Sequence, residues 1–183
     1  GGEFAGKAFS EAGYGLTARG IEFLEEMENL GMIIDVAHLN DAGIRDVLKF
    51  TKKPFVASHS NARHLCSHPR NLNDELLKAI GERGGVIGLN YYAYFLRDWK
   101  DGETVVSRAE DIVAHAKYIC DMAGIEALGL GSDFDGMNGE LEIASPADMT
   151  KLEDVFKKNG FTESEIEKIF CKNVMRIYRE LLG

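Results

Sequence analysis

Imidazole, imidazole and carboxylate stand at the ends of short apolar runs along this chain. MIIDVAH ends at His38, PFVASH at His59 and ALGLGSD at Asp133, while VIGLNYY ends in Asn90, Tyr91 and Tyr92. Two imidazoles and a carboxylate suit a borderline divalent metal, zinc first. A carboxylate beside a metal-bound water also shuttles protons. Each residue alone reads as an ordinary hydrogen-bonding group, and it is the recurrence at matching run ends that points to a site. Tyr91, Tyr92, Tyr94, Phe95 and Trp99 read equally as a binding wall or as a packed loop.

Other constellations carry less. His64, Cys66 and His68 have ligand chemistry, but they share one loop with no fourth ligand. His115 lies between Ala114 and Ala116 in a helical pattern and reads as packing or helix surface. Asp133-x-Asp135-Gly136 lacks the third oxygen ligand and the closing Glu of a calcium loop. Ser58 and Ser60 flank His59 without a GxSxG elbow.

The elements that must position these groups alternate. Residues 1–16 hold five glycines and read as loop. Thr17 caps a predicted helix to about Asn29, with Ile21, Leu24 and Met27 inward and Gly31 as its stop. MIIDVAH follows as a strand, and Asn40 or Asp41 caps a helix to about Phe50. PFVASH is the second strand, and Asn73 or Asp74 caps the next helix. VIGLNYY is the third strand, and Ser107 with Glu110 forms a predicted capping box for a helix closed by Gly124. ALGLGSD is the fourth, followed by a helix from Ser145-Pro146 and a last one capped by Thr162 with Glu165. Continuous apolar strands separated by helices predict a parallel α/β sheet with right-handed crossovers. Chain length favours an open doubly wound sheet, whereas polar groups at the strand ends favour a barrel mouth. No GxGxxG or GxxxxGK[ST] follows a strand, so nucleotide binding has no support.

Composition narrows the classes. With 183 residues and 45% hydrophobic content, one domain with a sizeable core is expected, and disorder or a disulfide miniprotein is excluded. A net charge of -9 without a dense basic patch argues against nucleic acid. No apolar run approaches the roughly 20 residues of a membrane span. Cys66, Cys120 and Cys171 are far apart and lack a CxxC, so reduced thiols and a cytoplasmic location are expected, with Cys120 and Cys171 buried on apolar helix faces.

Several of these stretches together resemble the C-terminal part of the membrane (renal) dipeptidase family, bacterial members included. They are GLTARGIEFLEEMENLGMIIDVAHLN, PFVASHSNAR, Cys66 with Pro69 to Asn71, GLNYYAYFL, ALGLGSDFDG and NVMRIYRELL, spanning about Gly15 to Leu182. The resemblance implies the C-terminal half of a metal-dependent (β/α)8 TIM barrel, with about four parallel strands, and a site for two zinc ions that hydrolyses dipeptides. It implies His38 and His59 as the paired ligands of one zinc, and Asp133 as the carboxylate that takes a proton from a metal-bridging hydroxide and passes it to the leaving amine. It also implies Arg70 as the grip on the substrate's terminal carboxylate, for which a planar guanidinium fork is suited. Tyr91 and Tyr92 would line the pocket.

The family's N-terminal half carries a His-x-Asp pair, a bridging Glu and a further His, and no His precedes His38 here. Residues 1–183 are therefore expected to form one partial-barrel domain whose N-terminal half is absent. By itself that domain would bind metal weakly and lack activity. Its partners would be a dipeptide substrate and the missing half or a second copy at its open sheet edges. The alternative is a non-catalytic half-barrel that serves binding or assembly.

Overall fold

A computed structural model describes residues 3–6 and 13–183. Among them, the helices are α1 (Ala18–Asn29), α2 (Asp41–Phe50), α3 (Asp74–Glu82), α4 (Ala109–Ala123), α5 (Met149–Lys158), α6 (Glu163–Glu167) and α7 (Asn173–Leu182). The strands are β1 (Val56–Ala57), β2 (Val86–Leu89), β3 (Val106–Ser107), β4 (Leu128–Leu130) and β5 (Glu140–Leu141). Of the predicted N-terminal loop, residues 1–2 and 7–12 lie outside the described residues; Ala5 forms an antiparallel bridge to Leu16.

The main sheet is parallel, in the order β1-β2-β4, with Val56 beside Val86 and Ile87 beside Leu128. The first predicted strand is present as one rung: Asp35 pairs in parallel with Val56, and Val56 N–H donates to the Ile34 carbonyl. A second, two-stranded parallel sheet joins β3 to β5, which the apolar-run pattern did not signal because Val106–Ser107 and Glu140–Leu141 are short and mixed in polarity.

Period-two alternation sets the two faces. Ile87, Leu89 and Tyr91 are fully buried with Phe55, Ala57 and the apolar stripes of α2, α3 and α4. The α4 stripe of Ile112, Val113, Ala116 and Ile119 has no exposed surface, and each buried Ile contributes about 1.5–3 kcal/mol. The opposite face carries Asp35, Val56, Ser58, Val86 and Gly88, which line a cavity of about 350 Å³ closed on one side by Val174, Ile177 and Tyr178 of α7.

Helix ends follow local chemistry. Thr17, Asn40 and Asn73 accept from the backbone N–H three residues on, and Thr162 with Glu165 forms a capping box. The Ser107–Glu110 box does not form. Ser107 is taken into β3, the N-cap is Arg108, and the Glu142 carboxylate instead accepts the Ala109 N–H at 2.9 Å. The last predicted helix is interrupted by a π-turn over Lys168–Lys172, after which the buried Asn173 amide donates to the carbonyls of Ile125 and Leu128 at 2.7 Å. Of the two thiols expected to be buried on helix faces, Cys120 is half-buried and Cys171, within the π-turn, is exposed; Cys66 is buried.

Two glycines make room for the turn after β1. A Cβ at either Gly88 or Gly131 would overlap the carbonyl oxygen of Ser58. Because the clash is with backbone, Gly131→Ala forces the Ser58–His59 turn to move. We expect a loss of about 1–3 kcal/mol, as for overpacked cores, read as a lower denaturant midpoint with unchanged slope. An unchanged midpoint would contradict the close approach.

Candidate functional site

The chain turns sharply at each strand end of the main sheet, and those turns bring the candidate residues together. His38 follows the Asp35 rung, and His59 lies two residues past the end of β1. Their Nε2 atoms lie 2.9 Å apart, with ring centroids at 4.9 Å and planes inclined by 59°. Two imidazole nitrogens brought this close offer a donor pair for a borderline metal such as zinc. No third His, Cys, Asp or Glu joins them in a group that could hold a metal ion among the described residues, so the pair fits zinc as part of a ligand set.

Behind His59 stands a polar chain that sequence reading missed. The Ser58 hydroxyl lies 2.7 Å from His59 Nδ1 and 2.6 Å from Asp35 Oδ2, and Asp35 Oδ1 accepts the N–H groups of Ala37 and Ser58, both at 3.0 Å. The available signal was Asp35 itself, a charge in the middle of an otherwise apolar run.

Asp133 opens the turn after β4 with φ 71°, a left-handed conformation that Asp tolerates better than most residues and that recurs at functional sites. Gly136 N–H closes the turn on the Asp133 carbonyl at 3.0 Å, and a Cβ at Gly136 would overlap Asp133 Oδ1. The Asn90 amide donates to Asp133 Oδ2 at 3.0 Å. Asn90 is itself fixed: its N–H donates to Asn61 Oδ1 at 3.1 Å, and its Oδ1 accepts the Tyr92 N–H at 2.7 Å. Asn90 was visible at a run end, but its role as the partner of Asp133 was not.

Arg70 is 5% exposed. Its Nε donates to the Ala37 carbonyl at 2.9 Å, and its guanidinium lies 5.5 Å from the Phe95 ring centroid. Burial lowers its pKa, while the charges of Asp133 and Asp35 act the other way. Burial also lowers the pKa of His38, reinforced by Arg70 and His59 and opposed by Asp35 and Asp133. These five groups thus share one electrostatic neighbourhood, in which His38 favours the neutral, metal-binding form. The Arg70 loop is built by Arg63, whose guanidinium grips both Asp41 carboxylate oxygens at 2.7 Å and donates through Nε to the Asn71 carbonyl.

Tyr92 is half-buried, with its ring against Tyr94 and Phe95. Tyr91 departs from expectation. Strand alternation turns it to the helix-covered face with Ile87 and Leu89, where it is fully buried edge-on to Phe134, away from the open wall. The weaker constellations do not assemble either. His64 stacks on Tyr118, Cys66 is buried, and His68 packs on Phe95. His115 is fully buried, as the packing alternative held: its Nδ1 accepts the Ala62 N–H at 3.1 Å and its Nε2 lies 2.8 Å from the Leu96 carbonyl.

Comparison with known proteins identifies the family to which this fold belongs. The family model for membrane dipeptidase, peptidase family M19, matches residues 3–182. A dipeptidase from Claviceps purpurea is 32% identical over 177 residues, covering 92% of this chain and 39% of its own. An uncharacterized dipeptidase from Schizosaccharomyces pombe is 34% identical, covering 91% and 40%. An uncharacterized protein from Klebsiella pneumoniae is 35% identical, covering 93% and 63%. Among solved structures, a metallopeptidase from Rhodobacter sphaeroides, liganded with a phosphinate mimic of the dipeptide L-Ala-D-Ala, superposes with a TM-score of 0.85 at 32% identity. It matches 97% of this chain and 50% of its own length. The chain therefore spans between about two fifths and two thirds of the relatives it matches, and the sheet described above is part of their TIM-barrel-type fold. By sequence over nearly its whole length and by fold, the chain belongs to the membrane dipeptidase family, peptidase family M19.

Proposed function

We propose that this chain supplies half of a zinc-dependent dipeptidase site: His38 and His59 as a ligand pair, Asp133 as the proton-transferring carboxylate and Arg70 as the anchor for the substrate's terminal carboxylate. The observation that carries the reading is the convergence of His38 and His59 at 2.9 Å beside Asp133 and Arg70. Dipeptide as substrate class is supported by the family and by the dipeptide mimic held by the Rhodobacter sphaeroides relative. Bound zinc would supply Lewis acidity to the scissile carbonyl and to its attacking water. Asp133 receives and returns the proton, with its carboxylate held in place by the Asn90 amide at 3.0 Å. Arg70 limits the substrate to short peptides by engaging a free carboxylate close to the ligand pair. Tyr92 and Phe95 wall the pocket.

Two ligands are fewer than the three protein ligands of a typical catalytic zinc, so the site is completed by further chain. The partly open cavity beside β1 and β2, with Tyr178 46% exposed at its edge, is where such a segment would pack.

The test is dipeptide hydrolysis by the product of the complete reading frame, with chelator and with zinc restored. Activity that is lost and regained supports the reading, and no hydrolysis of any dipeptide by the zinc-loaded protein overturns it. Within that assay, Arg70→Lys should raise KM for free dipeptides by about tenfold or more, since a point charge replaces a bidentate fork. Dipeptides capped as C-terminal amides should be hydrolysed poorly by both forms. Equal KM values for free dipeptides would remove Arg70 from carboxylate recognition.

A further inference from the structure

We propose that Asp35 and Ser58 form a positioning relay that fixes the tautomer of His59, keeping its Nε2 lone pair bare and facing His38 Nε2. A carboxylate accepts hydrogen bonds and donates none, and a serine hydroxyl has one proton. At 2.6 Å from Asp35 Oδ2, the Ser58 hydroxyl gives that proton to the carboxylate. Its oxygen is then left to accept, and the group at 2.7 Å is His59 Nδ1. Nδ1 therefore carries the ring proton and Nε2 is bare.

The carboxylate cannot turn to undo this. Its other oxygen is fixed by the N–H groups of Ala37 and Ser58, each at 3.0 Å. The contact between the two imidazoles follows from the same logic. With His59 Nε2 bare, the 2.9 Å approach of His38 Nε2 requires His38 to donate. In the metal-free chain the two rings thus carry opposite tautomers, and a metal entering the pair needs one proton to leave His38 Nε2, for His38 Nδ1 or for solvent.

Asp35 and Ser58 touch neither metal nor substrate in this scheme. They act through His59, as carboxylate partners orient metal-bound histidines in general. The purpose assigned to the relay rests on the zinc reading above, but its geometry does not.

The experiment is ring-nitrogen NMR on 15N-histidine-labelled, metal-free protein at about pH 8.5, two units above the ordinary imidazole value. His59 is expected in the Nδ1–H form and His38 in the Nε2–H form. Asp35→Asn should invert His59. The backbone donors hold the new amide's oxygen, so its NH2 faces Ser58 and donates, and the hydroxyl proton then turns to His59 Nδ1. Ser58→Ala should remove the bias and weaken zinc binding about 10–100-fold. It serves as the second variant should Asp35→Asn fail to fold. An Nε2–H form of His59 in the unsubstituted protein, or an unchanged tautomer in Asp35→Asn, overturns the relay. If the tautomers are as stated but zinc added to the product of the complete reading frame leaves both rings' nitrogen shifts unmoved, the relay stands and the zinc reading falls.

Discussion

Asp133→Asn in the complete protein is expected to lower kcat for dipeptide hydrolysis by about 10²–10⁴-fold, the usual contribution of a positioned acid–base group, with little change in KM. The substitution isolates proton transfer because it preserves what else Asp133 does. Asparagine is nearly isosteric and can still accept the Asn90 amide, which lies 3.0 Å from Oδ2. It also tolerates the left-handed backbone, φ 71°, at least as well as aspartate. Asp133→Ala would be a poorer probe, since it strands the buried Asn90 amide without a partner. Equal thermal midpoints for the Asn variant and the parent protein, measured alongside kcat, establish that the loss is chemical. Full turnover in the Asn variant would remove Asp133 from the proton path and leave it a structural acceptor for Asn90.

Much of this framework was legible in the sequence because its signals are local. Thr17 and Thr162 cap the helices they were expected to cap, and of the candidates Asn40 or Asp41 and Asn73 or Asp74 the asparagines do, since a cap is decided by a side chain and an N–H two or three residues away. The strand ends were legible because continuous apolar runs stop where polar groups begin. What stayed hidden depends on partners distant in sequence. Ser107 and Glu110 have the spacing of a capping box, yet β3 pairing with residues more than 30 positions away claims Ser107. Tyr91 and Tyr92 are equivalent by composition, and the register of β2 decides that Tyr91 faces the helices. Asp35 was visible as a misfit among Met32, Ile33, Ile34 and Val36, but its meaning needed Ser58, which lies 23 residues on. The same holds for Asn90, which reaches Asp133 across 43 residues. Half of the candidate site was therefore readable as residue types at run ends, and the groups that hold it in place were not.

His115 carries the largest expected effect on stability. It is fully buried in α4, where Nδ1 accepts the Ala62 N–H at 3.1 Å and Nε2–H serves the Leu96 carbonyl at 2.8 Å. Burial pulls its pKa down to about 4, partly opposed by the hydrogen bond to Leu96. A proton added at Nδ1 would meet the Ala62 N–H, donor against donor. The folded protein therefore binds this proton less readily than the unfolded chain, whose imidazole titrates near 6.5. Stability from this group is complete above about pH 6.5 and declines as the pH falls towards about 4, where both states become protonated. At 1.36 kcal/mol per unit the span corresponds to about 3 kcal/mol. His38 and His68, also lowered by burial, act in the same direction, so the measurement is a comparison. Urea midpoints between pH 7 and pH 4 should fall more steeply for the unsubstituted protein than for His115→Gln, whose amide offers an acceptor and a donor but no proton uptake. Parallel slopes would show that His115 does not contribute. Because Ala62 lies three residues beyond His59 and Leu96 closes the aromatic segment, acid loosening at His115 should reach the candidate site first. Faster amide exchange at Ala62 than in the α4 interior, as pH drops below 6, would register that order of events.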